Sequence, residues 1–234
     1  EKEEAANNVD QEQGLLQMLQ KAYEIAVHED GWARLDLMGS GLTGRTLGVI
    51  GAGRIGKELL RLARVFDLKL LAADPYAETL ELQYIGARHV PLDRLMAESD
   101  FVVVACLLNE ETRGLVGARE LAMMKPCAYF VNVARGPIVD ETALYQALAA
   151  RRIAGAGLDV FEQEPTPADN PILKLDNVIV APHALCWTDE LFGNIARTAL
   201  AAVLAVHAGR PPEFLVNRPA LAHPRAQAWL KGVK

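Results

Sequence analysis

Short apolar runs alternate with helical spacing of apolar residues along most of the chain after residue 45. A short, predominantly apolar run is typical of a strand that is buried on both faces of a sheet. Such runs occupy residues 46–50, 69–73, 101–106, 128–133, 153–158 and 178–180, and helical patterns occupy residues 54–66, 92–97, 118–124 and 141–150. The alternation predicts an α/β fold with about six strands in a doubly wound parallel sheet.

A glycine turn joins the first predicted strand to the first predicted helix. In the G-x-G-x-x-G spacing, Gly51 permits a tight turn, Gly53 lets backbone approach a pyrophosphate, and Gly56 lets the helix pack on the strand. The free N–H groups at the helix N-terminus can bind the phosphates. Asp74 directly follows the second predicted strand. Its separation along the chain from the glycine turn is close to the roughly 20 residues expected for an acid that hydrogen-bonds an adenosine ribose. These features predict a Rossmann-type dinucleotide-binding domain.

The residue at the end of the second strand also indicates which dinucleotide is bound. The carboxylate of Asp74 can accept hydrogen bonds from ribose hydroxyls but would repel a 2′-phosphate. Pro75 and Tyr76 offer no basic replacement. We therefore expect NAD rather than NADP.

Composition and charge narrow the class of protein. The chain has 234 residues, of which 51% are hydrophobic, and its net charge of −6 argues against a nucleic-acid partner or an anionic membrane surface. Its three cysteines form no C-x-x-C pair, so neither a disulfide scaffold nor a thiolate metal site is predicted. No apolar run approaches the roughly 20 residues needed to span a bilayer. We expect a cytoplasmic protein without a membrane segment or a metal.

Four ionisable residues follow the predicted strands. Arg135, Asp159 and His183 come directly after three of them, and Glu164 lies a short loop further on. Each alone could be a solvated loop charge or a capping residue. Ligands of doubly wound sheets lie beyond the carboxyl ends of the strands, so four such residues on one edge favour catalysis.

Several spaced segments resemble one family. The glycine turn with Asp74, the segment NVARGPIVD at 132–140, the segment GLDVFEQEP at 157–165 and the segment APH at 181–183 occur in the order found in D-isomer-specific 2-hydroxyacid dehydrogenases. The resemblance covers roughly residues 31 to 217. It implies an NAD-dependent oxidoreductase that transfers a hydride between nicotinamide and a D-2-hydroxy acid or 2-oxo acid.

The resemblance also implies roles for individual residues. Arg135 would hold the substrate carboxylate, His183 would be the proton donor or acceptor, and Glu164 would pair with His183. Glutamate rather than the glutamine of the formate-oxidising branch favours reversible 2-hydroxy acid chemistry. Asp159 would contact the nicotinamide side, and Cys106 would abut the cofactor through its backbone. The cofactor-binding residues implied are Gly51, Gly53, Arg54, Ile55, Gly56, Asp74, Cys106, Thr112, Val133, Ala134, Arg135, Asp159 and His183.

The ends of the chain are expected to join a second domain. Helical spacing over residues 15–27 predicts a linker helix within residues 1–30, ahead of a dinucleotide-binding domain at 31–185. A C-terminal helix and tail at 186–234 would return to the substrate domain, and residues 216–217 resemble the closing strand of the family. Much of the substrate lobe of the family would be absent from this chain.

Other interpretations stay open. A corepressor branch resembles the same family, so the chain could be an NAD(H)-binding interaction protein, or a truncated and inactive family member. Residues 184–187 replace a glycine-rich run of the family, and the choice among glyoxylate, hydroxypyruvate, phosphoglycerate-like and bulkier substrates stays open. Apolar surface on the linker helix and on residues 199–206 predicts a homodimer.

Overall fold

Seven parallel strands form one sheet in the order β3-β2-β1-β4-β5-β6-β7. The computed structural model describes residue 39 and residues 41 to 232, so the predicted linker helix within residues 1–30 lies outside the described residues. The doubly wound parallel sheet is confirmed. The strands are β1 (Thr46–Ile50), β2 (Lys69–Ala73), β3 (Ala87–His89), β4 (Phe101–Val104), β5 (Tyr129–Asn132), β6 (Gly155–Leu158) and β7 (Val178–Val180).

Helices connect these strands and continue beyond the last one. They are α1 (Arg54–Ala63), α2 (Thr79–Ile85), α3 (Leu92–Glu98), α4 (Ala118–Met123), α5 (Glu141–Ala149), α6 (Asp189–His207) and α7 (Pro224–Gly232). Two of these helices begin with a capping side chain: Asp140 accepts a hydrogen bond from Ala143 N–H at the start of α5, and Thr188 accepts one from Leu191 N–H at the start of α6. These side chains satisfy N–H groups that a helix leaves free at its first turn.

Three sequence expectations about elements are corrected. The sheet has seven strands rather than about six, because β3 is only three residues long and contains Arg88 and His89 in place of an apolar run. The strands predicted at 101–106, 128–133 and 153–158 are shorter in the structure. Residues 216–217 form no strand: Val216 is fully exposed and pairs with none of the strands in the described part of the chain.

The hydrophobic core lies in two layers on the two faces of the sheet. One layer packs α3, α4 and α5 against residues such as Ile50 and Phe130. The other packs α1 and α2 against Leu47, Val49 and Leu70. Full burial of each large apolar side chain stabilises the fold by about 1.5–3 kcal/mol. The two layers support both faces of the sheet from which the loops at its carboxyl edge extend.

An ionic cluster fastens the opposite edge of the sheet. Asp100 is buried, accepts a hydrogen bond from Thr46 N–H at 2.8 Å, and pairs with Lys125 Nζ at 2.9 Å. Burial alone would raise the pKa of Asp100. The hydrogen bonds from Lys125 and Thr46, with the charges of Lys125 and Arg45, outweigh burial and lower this pKa below its ordinary value. Asp100 therefore stabilises the junction of β1 and β4 when its side chain is an ionised carboxylate.

No helix in the described part of the chain has the length and apolar character required to cross a bilayer.

Candidate active site

The loops after β1 and β4 meet at the carboxyl edge of the sheet, where the chain connections turn to opposite sides. Gly51 adopts a φ of 92°, and a Cβ there would stand 2.5 Å from the Cα of Cys106. A Cβ on Gly56 would overlap the carbonyl oxygen of Gly51. Gly53 faces open space, and no side chain caps α1. The first N–H groups of α1 are thus accessible to a diphosphate.

Asp74 is fixed beside this turn. One carboxylate oxygen accepts a hydrogen bond from Ala52 N–H at 2.7 Å and the other from Tyr76 N–H at 2.9 Å. Each oxygen keeps a lone pair for a ribose hydroxyl. A cavity of about 400 Å³ opens next to Asp74. Its lining includes His89 and Val90, which the sequence reasoning missed because β3 was not recognised.

The loop after β4 closes the other side of the turn. Burial raises the pKa of the Cys106 thiol, which favours the neutral form. The hydroxyl of Thr112 donates to Leu107 O at 2.6 Å and accepts from Asn109 N–H at 2.8 Å, so it shapes this loop. Its predicted contact with the cofactor stays a prediction.

A bridge links this loop to the loop after β2. Tyr76 donates its hydroxyl hydrogen to Glu111 at 2.7 Å. This hydrogen bond and the charge of Glu111 raise the pKa of Tyr76. The two loops that flank the glycine turn are therefore joined outside the sheet.

His183 and Glu164 form the hydrogen-bonded pair that the resemblance implies. Nδ1 of His183 lies 2.7 Å from Oε2 of Glu164, and Oε1 of Glu164 accepts from Phe161 N–H at 3.0 Å. Burial alone would raise the pKa of Glu164, but these hydrogen bonds and the charges of His183 and Arg135 lower it. A carboxylate only accepts, so Nδ1 carries a hydrogen and Nε2 is left to exchange a proton.

Backbone contacts set the direction of the His183 side chain. His183 has a φ of 55°, in the left-handed region that few non-glycine residues adopt. Asp159 is buried, and its Oδ1 accepts hydrogen bonds from Ala184 N–H at 2.9 Å and Leu185 N–H at 3.3 Å. Asp159 therefore holds the loop that carries His183. The expected contact of Asp159 with the nicotinamide stays a prediction.

Arg135 reaches the same edge from the loop after β5. Its side chain donates to Ala134 O at 2.6 Å, and its charge acts on Glu164. Buried Asn132 accepts from Ala134 N–H and donates to Arg135 O, each at 3.1 Å, which fixes the loop. Gly136 lies so close to the backbone of Phe161 that a Cβ would overlap it. The loops after β5 and β6 are thus in contact. Sequence reasoning missed Asn132 because its amide contacts are visible only in the fold.

The three candidate catalytic residues therefore share one edge of the sheet with the glycine turn. A cavity of about 790 Å³ lies against the His183–Glu164 pair. Apart from that pair, its lining is largely apolar: Phe161, Pro165, Thr166, Leu173, Val180, Ala181 and Pro182. The described residues contain no cluster of three or more His, Cys, Asp or Glu side chains that could hold a metal ion.

Comparisons with known proteins agree with this geometry. Residues 15–184 match the family described as D-isomer specific 2-hydroxyacid dehydrogenase, NAD binding domain. A glyoxylate reductase of Korarchaeum cryptofilum is 43% identical over 80% of this chain and 56% of its own length. A D-3-phosphoglycerate dehydrogenase of Archaeoglobus fulgidus is 40% identical over 84% of this chain and 37% of its own length. The chain spans about half or less of these relatives.

The solved structures that resemble this chain include dehydrogenases of the same kind. D-lactate dehydrogenase with NAD+ from Lactobacillus jensenii superposes with a TM-score of 0.72 at 29% identity, covering 78% of this chain and 58% of that one. An NAD-binding D-isomer specific 2-hydroxyacid dehydrogenase from a Polaromonas species superposes with a TM-score of 0.75 at 29% identity, covering 84% and 62%. The open N-terminus of α1 and the carboxylate of Asp74 fit NAD. This chain belongs to the D-isomer specific 2-hydroxyacid dehydrogenase family and includes its NAD-binding domain.

Proposed function

We propose that this protein is an NAD-dependent oxidoreductase that interconverts a 2-oxo acid and a D-2-hydroxy acid. The observation that carries the proposal is the His183–Glu164 hydrogen bond of 2.7 Å on the sheet edge that also holds Arg135 and the glycine turn. A proton carrier, a cation for a carboxylate and a dinucleotide site are the three parts that this reaction needs. The names of the relatives, glyoxylate reductase and D-3-phosphoglycerate dehydrogenase, support the same class of substrate.

In this proposal each residue of the candidate site has a role. The planar guanidinium of Arg135 binds the substrate carboxylate through two parallel hydrogen bonds and orients the neighbouring carbonyl. NADH, when bound, supplies the hydride that reaches the carbonyl carbon. The Nε2 proton of His183 passes to the carbonyl oxygen, which becomes the hydroxyl of the product. Glu164 stabilises the imidazolium before transfer and keeps Nδ1 protonated afterwards. The oxidation runs through the same steps in reverse.

NAD is preferred over NADP in this account. Both oxygens of Asp74 already accept backbone hydrogen bonds, which hold the carboxylate in place beside the glycine turn. Glu111 adds a second carboxylate through its bridge to Tyr76. A 2′-phosphate placed near these groups would meet like charges. Equal or tighter binding of NADPH than of NADH would refute this preference.

We further propose a homodimer in the cytoplasm, with a small 2-oxo or 2-hydroxy acid and NAD as its ligands and no nucleic-acid or membrane partner. α6 has 19 residues and none of them is buried, although Phe192, Leu200 and Val203 are large and apolar. A second copy of the chain would cover such a surface. Three free cysteines and the net charge of −6 support a reducing compartment without polyanionic partners.

We divide the chain as the sequence suggested: residues 1–30 as a linker helix, 31–185 as the dinucleotide-binding domain, and 186–234 as a helix and tail that contact a substrate domain. Under this division, the described residues supply one wall of the cleft.

A substrate panel tests the function. NADH consumption is measured with glyoxylate, hydroxypyruvate, phosphohydroxypyruvate and a bulkier 2-oxo acid, and the product is resolved into its D and L isomers. We expect NADH-dependent formation of a D-2-hydroxy acid from at least one of them. The panel is repeated with the substrate lobe of a relative joined to the chain. If both proteins bind NADH but reduce none of the 2-oxo acids, a nucleotide-sensing interaction protein is favoured instead.

A further inference from the structure

His89 is a polar, half-buried residue at the cofactor edge that the proposed chemistry does not use. It ends β3, in register with Ala72 of β2. Its Nε2 lies 2.8 Å from the carbonyl oxygen of Asp74, and its Nδ1 lies 3.0 Å from the hydroxyl oxygen of Thr79. A carbonyl oxygen only accepts, so Nε2 carries the hydrogen, and Nδ1 of the neutral ring accepts from Thr79.

Several hydrogen bonds hold Asp74. Ala52 N–H and Tyr76 N–H bind the carboxylate, and the main-chain carbonyl is bound by the ring of His89 at 2.8 Å and by the more distant Ala77 N–H at 3.4 Å. Asp74 begins the loop after β2, where no strand pairing continues to hold the backbone. The hydrogen bond from His89 in β3 restrains the backbone at Asp74, the residue whose carboxylate is expected to bind the ribose.

The position of the ring fits this role. His89 and Asp74 line the same cavity of about 400 Å³ at the carboxyl ends of β1, β2 and β3. The other lining residues are apolar, among them Pro75, Val90 and Leu115. A mostly apolar pocket with a few fixed polar groups is typical of a site for a flat organic group such as adenine.

We propose that His89 is a positioning residue for the adenosine half of the cofactor, with Thr79 orienting its ring. By holding the main chain of Asp74, His89 sets the distance from the carboxylate to the ribose hydroxyls and so contributes to the choice of NAD over NADP. The proposal rests on the dinucleotide-binding part of the proposed function. It does not depend on hydride transfer, so a failure to reduce 2-oxo acids would leave it intact.

The test measures dissociation constants of NADH, ADP-ribose and NADPH for the 234-residue chain and three variants. His89→Leu keeps an apolar side chain of similar size but removes the donor. We expect it to weaken the binding of NADH and of ADP-ribose by about 3- to 10-fold, the range expected for the loss of one hydrogen bond. The affinity for NADPH should fall less, because Asp74 contributes little to NADPH binding. The preference for NADH over NADPH therefore decreases.

Two further variants separate positioning from folding. The amide of His89→Gln can donate near the place of Nε2, and it should restore most of the NADH affinity. Thr79→Val should give a smaller loss, since only the orientation of the ring is released. Melting temperatures of the ligand-free variants control for folding. Unchanged NADH affinity in His89→Leu, an equal loss for NADPH, no rescue by glutamine, or a wild-type chain that binds no NADH would each overturn the proposal.

Discussion

The pairing of His183 with Glu164 determines which nitrogen of the imidazole is available for the proposed proton transfer. Because Nδ1 is bound to the carboxylate, Nε2 is the atom that can exchange a proton with a carbonyl oxygen. The left-handed backbone of His183 is a costly conformation, and the hydrogen bonds from the next two N–H groups to Asp159 hold it. The site thus depends on a buried acid that need not touch the substrate.

Removing the charge of Glu164 should move the pH dependence of reduction. The hydrogen bond and charge of His183 help to lower the pKa of Glu164, so the carboxylate and the proton-donating side chain stabilise each other in the pair. Glu164→Gln should therefore shift the alkaline limb of the kcat/KM profile for reduction toward lower pH. Glu162→Gln, an exposed neighbour on the same loop, is the matched control and should leave the limb in place. An unchanged profile in an active Glu164→Gln enzyme would show that the pair does not set the protonation state.

Part of the site could be predicted at the residue scale. Arg135, Glu164 and His183 were identified because each follows a strand and lies in a segment that resembles the family. The contacts of Asn132, His89 and Thr112 could not be predicted, because they join residues through backbone atoms whose positions depend on the folded loops. The hydrogen bonds that Asp159 accepts from the His183 loop could not be predicted for the same reason.

The glycine turn is the element that couples fold to cofactor. Its three glycines have different surroundings, so the same substitution should have different effects. A Cβ at Gly56 would overlap the Gly51 carbonyl, whereas a Cβ at Gly53 would meet no atom within 4 Å. The turn therefore separates a glycine required for packing from one that leaves room for a ligand.

This difference predicts opposite outcomes for two alanine variants. Gly56→Ala should destabilise the fold by about 1–3 kcal/mol, because an added methyl group in a packed junction forces the backbone apart. Gly53→Ala should leave the melting temperature near that of the wild type but weaken NADH, because the methyl group occupies the approach to the diphosphate. Melting curves and NADH titrations check both. Equal melting temperatures for the two variants would contradict the packing role of Gly56.

The elements themselves were largely predictable. Strands β1, β2 and β7 match the predicted bounds, because continuous apolar runs end where turn residues begin. β3 was missed, because a three-residue strand with two polar residues carries no periodic signal. The expected strand at 216–217 is wrong, since a strand forms only where a neighbour pairs with it, and no neighbour was visible in the sequence.

At the scale of the molecule, the ionic cluster at Asp100 predicts how stability depends on pH. The pKa of Asp100 is lower in the folded state, so its contribution is present above the ordinary carboxyl range and is lost as the pH falls through the folded-state pKa. Asp100→Asn should lower the free energy of unfolding at neutral pH and reduce its fall below about pH 4. Denaturant titrations at several pH values measure this.

The control for that experiment is Asp176→Asn. Asp176 pairs with Arg151, but its side chain is 81% exposed, so the pair contributes little to stability. The control should keep the acid dependence of the wild type. An Asp100→Asn variant with the same acid dependence as the control would contradict the assigned role of the cluster.

The exposed surface of α6 predicts association. If a second copy covers this helix, sedimentation at micromolar concentration should give a dimer, and Val203→Glu should shift it toward monomer. Leu80→Glu, at another exposed apolar position on α2, should not. A monomeric wild type, or equal effects of the two substitutions, would contradict the proposed homodimer.

The most direct test of the account pairs two measurements on the same samples of wild type and His183→Asn, with the substrate lobe of a relative joined to the chain. One is the dissociation constant of NADH, and the other is the rate of reduction of glyoxylate and hydroxypyruvate. We predict that NADH binding weakens far less than catalysis, and that reduction is about 10²- to 10⁴-fold slower in the variant, the usual contribution of a general acid. Equal rates of reduction in the two proteins, or tight NADH binding with no reduction by the wild type, would contradict the account.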